Sequence, residues 1–197
     1  QYNYSHDNYG GFLLLMEQNS GKVTVRYNLS VNDGGFIQVT RRDNPTSNIY
    51  ADIYNNTFYT KSENFKRLFY LTNTYVSDVI YANCRNNIFC YEGDNSPLLC
   101  NREQFYNNLN FGNNCYYGFE ENLLPSEDEN KILLDPQFVD SGNSAVGINN
   151  NLGYRLLSSS TCIGAGSPIN DSGEYDFWGN PISNATNIGA YTGAGIN

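Results

Sequence analysis

Two aspartates in matching turns are the residues of this chain best placed by type and spacing to do chemistry: Asp7 in His6-Asp7-Asn8 and Asp33 in Asn32-Asp33-Gly34. Each follows a recurring asparagine, Asn3 or Asn28, so on stacked coils the two carboxylates are expected about one strand spacing, ~4.8 Å, apart. Carboxylates ~5 Å apart suit a retaining glycosidase, one as nucleophile and one as acid, whereas a wider gap suits inversion. The same Asp7 and Asp33, with neighbouring Asn carbonyls, also suit a metal ion, Ca2+, a hard cation that takes oxygen ligands. Asn-Asp before Gly-Gly is equally the chemistry of a turn that stabilises a corner. Glu17 and Asp52 are further carboxylates that can face the same groove. A second candidate set is aromatic. Tyr59, Tyr91 and Tyr117 fall at comparable outward offsets on successive coils, where flat rings match the faces of sugars; rings half-buried between side loops are the alternative.

What must position these residues is a repeat. Asn3, Asn28, Asn55, Asn86 and Asn113 recur every 25 to 31 residues, about what one turn of a β-solenoid consumes. Stacked carboxamides let each side chain donate an N–H to its neighbour one coil away, which makes an asparagine ladder at a coil corner. Three positions after each ladder Asn stand His6, Val31, Phe58, Phe89 and Tyr116, a column for the interior. Four positions after stand Asp7, Asn32, Tyr59, Cys90 and Tyr117, a column for the outside. Gly10-Gly11-Phe12-Leu13 returns as Gly34-Gly35-Phe36-Ile37, a second landmark at nearly the same period. The expected fold is therefore all-β: a β-solenoid of about five coils in residues 1–119, an acidic exposed crossing in 120–131, and a last coil with a C-terminal capping segment packed on the solenoid in 132–197. The first repeat starts at once, so upstream coils, or another chain, are expected to cover the N-terminal end.

Composition narrows the partners. Only 11 of 197 residues are Lys or Arg and the net charge is −9, which argues against nucleic acid and anionic membranes, because phosphate binding needs clustered cations. No apolar run reaches the ~18 residues of a membrane span. Five cysteines, Cys84, Cys90, Cys100, Cys115 and Cys162, lack zinc-site spacing. One or two disulfides among the first four suit an oxidising compartment, and stacked, buried thiols are the alternative.

Several ordered elements carry a family resemblance: "YNYSHDNYGGFLLL" at 2–15, "RYNLSVNDGG" at 26–35, Asp135-Pro136-Gln137-Phe138, Tyr154-Arg155-Leu156, Gly166-Ser167-Pro168 and Asn187-Ile188-Gly189-Ala190-Tyr191. Together they resemble the C-terminal half of extracellular right-handed parallel β-helix proteins of the pectate-lyase-like superfamily. The resemblance implies a right-handed parallel β-helix, a secreted or cell-surface location and a carbohydrate setting. It does not choose among glycoside hydrolase, polysaccharide lyase and non-catalytic cellulose- or xylan-binding module. A lyase of this kind implies an Arg or Lys base, for which Arg26, Arg41 and Arg42 are nearest. The expected partner is a polysaccharide, bound or degraded. A structural solenoid that self-associates through its open first coil is the remaining alternative.

Overall fold

A computed structural model describes the chain except residues 17–20, 41–47, 64, 66, 73–79, 95–96, 101–107, 143–147 and 183–185, and the side chains of 148–150. Among the described residues, thirteen short strands follow one another: β1 (Tyr4–His6), β2 (Leu13–Met16), β3 (Lys22–Arg26), β4 (Leu29–Val31), β5 (Ile37–Thr40), β6 (Ile49–Tyr54), β7 (Thr57–Thr60), β8 (Arg67–Leu71), β9 (Ile80–Arg85), β10 (Ile88–Tyr91), β11 (Leu98–Cys100), β12 (Leu109–Gly112) and β13 (Cys115–Tyr117). They form three parallel sheets: β1-β4-β7-β10-β13, β2-β5-β8-β11 and β3-β6-β9-β12. The chain is thus a parallel β-solenoid. Rather than five full coils it makes three complete three-strand turns, beginning at β3, β6 and β9, with two strands of a partial coil at each end.

Alternation along each strand explains which side chains fill the tube. In Ile49-Tyr50-Ala51-Asp52-Ile53, the odd residues are buried and Tyr50 and Asp52 point out. Ser30, Phe58, Phe89 and Tyr116 share one inward column of the first sheet. Phe36, Phe69 and Phe111 complete the interior, with Phe58, Phe89 and Phe69 within 6.4 Å of the Phe36 ring. The repeated Gly-Gly-Phe landmark marks the second sheet: Leu13 pairs with Ile37, and the Phe12 and Phe36 rings stack at 5.6 Å. Gly34 is required there, because a Cβ would sit 2.2 Å from the Tyr9 carbonyl oxygen of the preceding coil.

The asparagine ladder is present, but its register differs from the repeat as read. Side-chain amides pass hydrogen bonds along Asn3, Asn28, Asn56, Asn87 and Asn114 at 2.8 to 3.0 Å, and each carbonyl also accepts the backbone N–H of the preceding coil's ladder residue. Asn55, Asn86 and Asn113 stand one residue earlier, with φ between 51° and 55°. That left-handed conformation turns the corner and is one that Asn tolerates. These three point outward, donating to the backbone carbonyls of Asn187, Ser167 and Ala165 respectively. One asparagine column holds the coils together, and the next fastens the C-terminal segment to them.

A ladder of donors must end on a group that needs only to accept. Asp128 supplies it, its Oδ2 receiving the Asn114 N and Nδ2 and the Tyr116 hydroxyl. The 120–131 crossing is therefore not simply exposed. Leu124 and Asp128 are buried in it and close the end of the tube, while its glutamates face solvent. The described residues of 132–197 then return over the outer face of the first sheet. Phe138, Tyr154, Leu156, Cys162, Ile188 and Tyr191 bury against Leu29, Val31, Tyr59, Ile88, Cys90 and Cys115. Trp178 is held inside this layer by Asn151 Oδ1 at 3.0 Å.

Candidate functional site

Asp7 and Asp33 do not pair as expected. Asp7 aligns with Asn32, both in left-handed conformation, and Asn8 aligns with Asp33. Asp33 is fully buried, and its oxygens accept the Asn8 N and Nδ2 at 2.9 Å and the Ser30 hydroxyl at 2.6 Å. It ends a second, short ladder as Asp128 ends the first. Buried and held by three donors, it presents no oxygen at the surface, and among the described residues no group of three acidic, His or Cys side chains is placed to hold a metal. Asp7 stays exposed, 3.0 Å from His6 Nδ1. His6 itself lies on the outward side beside Tyr4, not in the interior. Arg26 packs outside its strand, donating to the Tyr54 hydroxyl and the Asp171 carbonyl; Glu17, Arg41 and Arg42 lie outside the described residues.

The three tyrosines do not form a sugar-binding row. Tyr59 faces outward but is covered by the C-terminal segment, its ring 5.2 Å from Tyr154 and 6.2 Å from Phe138. Tyr91 turns into the interior against Phe65, and Tyr117 is half-buried at the edge of the covered face. Burial, then the hydrogen bond to the Glu92 carboxylate at 2.6 Å, hold the Tyr59 phenol well above the usual tyrosine range. Replacing Tyr59 by Phe keeps the ring contacts and deletes that one charge-assisted bond, so about 1.5 kcal/mol of stability should be lost, read from a urea midpoint.

None of the five cysteines forms a disulfide and all are buried, which corrects the disulfide expectation in favour of buried thiols. Burial pushes the Cys84 and Cys90 thiols up; for Cys115 the hydrogen bond with Cys162 does most, and burial adds to it. They are packing groups, not nucleophiles.

The corner that carries Asp7 does wall a groove, of about 610 Å³, between the first and second sheets. Its lining includes Gly10, Gly34 and Gly35, of which Gly34 and Gly35 stack closely on the backbone of neighbouring coils. Gln38 on β5 and Tyr70 on β8 are register partners on the outward face. Arg67, at the start of β8, lays its guanidinium 4.3 Å from the centre of the Tyr70 ring, and Tyr70 remains 38 % exposed. Lys61 follows β7, its backbone N–H held by Asn32 Oδ1 at 3.2 Å. Asp7, Lys61 and Arg67 thus bring one carboxylate and two cations to an opening that also holds amides, the half-exposed Tyr70 ring and the exposed Tyr9 ring. Such a lining can hydrogen-bond hydroxyls while one ring covers an apolar face. Gln38 and Tyr70 were legible only as the outward positions of alternating strands, a signal that marks every exposed strand residue alike.

Fold and groove together define the class: an all-β parallel solenoid with a groove at one corner. No family model matches the chain. Among curated proteins it is similar to the lacto-N-biosidase of Bifidobacterium longum subsp. longum, with 26 % identity over 211 residues. The match covers 96 % of this chain and spans only 12 % of that protein's length. No helix of the described residues is long and apolar enough to cross a membrane.

Proposed function

We propose that this chain is the sugar-contacting part of an extracellular, carbohydrate-active β-helix of the pectate-lyase-like kind, and that the corner groove receives the sugar. The observation that carries this is the convergence of Asp7, Lys61 and the Arg67–Tyr70 pair on one open groove with glycines in its lining. Similarity to a protein named lacto-N-biosidase supports the carbohydrate class. Glycoside hydrolysis uses two carboxylates, and among the described lining residues Asp7 is the one this groove presents. The role assigned to the groove is therefore binding, with bond cleavage dependent on a second carboxylate from outside it.

The test is to titrate the chain with a panel of neutral and acidic oligosaccharides by calorimetry and to follow reducing ends in the same mixtures. Tyr70→Ala removes the ring that would stack on a sugar face, a contact worth about 1 kcal/mol, so affinity should fall about fivefold. Unchanged affinity in a folded Tyr70→Ala variant would rule the groove out. Release of reducing ends that survives Asp7→Asn would remove Asp7 from the chemistry.

A further inference from the structure

The outer face of the third sheet holds a second groove, of about 440 Å³, closed on one side by Pro168–Asp171 of the C-terminal segment. Register sets its floor: Asp52 on β6 and Asn83 on β9 line the groove, and Asn110 on β12 extends the row beyond it, one residue per coil. They are fixed by their own hydrogen bonds, Asn110 Nδ2 to Asn83 Oδ1 at 3.1 Å and Asn83 Nδ2 to Asp52 Oδ1 at 2.8 Å, with Lys22 Nζ 2.5 Å from Asp52 Oδ2. Two residues along the same strands, Tyr50 and Tyr81 stack at 5.3 Å and stay 46 % and 39 % exposed. On the other side of the row, Arg85 is exposed and lines the groove.

We infer that this face binds a neutral, unbranched glycan lying along the solenoid axis. The inference shares its ligand class with the proposed function but rests on different residues. Carboxylate, carboxamide and guanidinium are planar groups that present hydrogen-bonding atoms side by side, a geometry that can engage two adjacent sugar hydroxyls at once. A carboxamide that donates one N–H along the row still has its second N–H and a carbonyl lone pair to give. The polar groups recur at the strand spacing of ~4.8 Å, comparable with the length of one pyranose ring, so successive rings of an extended glycan meet successive coils. The tyrosine pair supplies an apolar border of ring edges and hydroxyls beside that row. Charge selects against acidic glycans. Lys22 and Arg85 balance Asp52 and Asp171 within the groove, while the whole chain carries −9 and repels a polyanion.

The experiment titrates the full chain with neutral β-1,4-linked hexasaccharides of glucose, xylose and galactose, and with an oligogalacturonide of equal length, by calorimetry at low salt. Asn83→Ala and Arg85→Ala should each weaken binding of the neutral hexasaccharide at least tenfold with an unchanged circular dichroism spectrum, and Leu134→Ala, an exposed change outside both grooves, should leave that affinity as it was. Unchanged affinity in both Asn83→Ala and Arg85→Ala overturns the inference, as does oligogalacturonide binding as tight as the neutral ligands or an absence of binding to all of them. A loss confined to Tyr70→Ala assigns the sugar to the corner groove and overturns this face alone; a loss confined to Asn83→Ala and Arg85→Ala does the reverse.

Discussion

Replacing Asn87 by alanine should destabilise the solenoid by about 4 kcal/mol, a loss expected from several buried partners stranded at once. Asn87 is fully buried, and its carbonyl accepts from the Asn56 N and Nδ2, while its amide donates to the Ile53 carbonyl and to Asn114 Oδ1. Alanine leaves those groups without their partner in a place water does not reach. Asn87→Asp is the sharper variant. A carboxylate keeps the two bonds from Asn56 but meets the Ile53 and Asn114 oxygens acceptor to acceptor, so at neutral pH it should be at least as damaging as alanine. Its neutral acid regains one donor, and burial raises the folded-state pKa above the unfolded value of ~3.9. The stability of this variant is therefore fullest below that unfolded value and is lost as pH rises through the folded one. Asp128→Asn at the ladder's end is the control: its carbonyl still receives Asn114 and Tyr116, and the cost should be about 1 kcal/mol for the new N–H group left beside an unpartnered position. Denaturant midpoints of the three variants at pH 4 and pH 7 decide the matter, and an Asn87→Asp variant as stable as wild type at pH 7 would mean that the column is not a directed ladder.

The contrast between Asn87 and Asp128 also shows what was legible in the sequence. The period was, because Gly-Gly-Phe and the asparagines recur on every coil they mark, and close stacking at Gly34 leaves no room for another residue. The register was legible only in the first two coils, where Tyr2-Asn3 and Tyr27-Asn28 put tyrosine in the left-handed position and asparagine in the ladder. From the third coil onward both positions are Asn, as in Asn55-Asn56 and Asn86-Asn87, and a tandem of identical residues cannot say which is the corner and which the rung. A one-residue slip moves every side chain to the opposite face. Buried Asp33 is a different kind of miss. A carboxylate that ends a ladder and one that attacks a sugar look alike in sequence, and only the three donors around Asp33 separate them. The outward position of Tyr59 follows from strand alternation, but nothing local to it announces that residues more than seventy positions later cover the first sheet. The groove residues Lys61, Arg67 and Tyr70 come together from the end of one strand and the length of another, a meeting that depends on how the chain turns between β7 and β8.

Phe36→Ala should be as costly as any single change in the tube, about 4 kcal/mol, the usual loss for a large aromatic removed from a packed core. Phe36 has no exposed surface, stacks on Phe12 of the preceding coil at 5.6 Å, and meets Phe58 and Phe89 of the first sheet and Phe69 of the second edge-on at 5.7 to 6.4 Å. Its removal leaves a void walled by rings on at least two sheets, and rings set edge to face cannot close on it without losing that geometry. Phe36→Leu keeps part of the volume and should cost less than half as much. The same substitution reaches the candidate site, because Gly34, Gly35 and Ile37 of that turn line the corner groove while Phe36 between them holds the turn to the core. Sugar affinity at the groove should therefore fall in Phe36→Ala under conditions where the protein is still folded, and recover in Phe36→Leu. A Phe36→Ala variant that unfolded at a lower denaturant concentration yet bound as wild type would show that the groove is held by its hydrogen bonds alone, and would detach the site from the aromatic core beneath it.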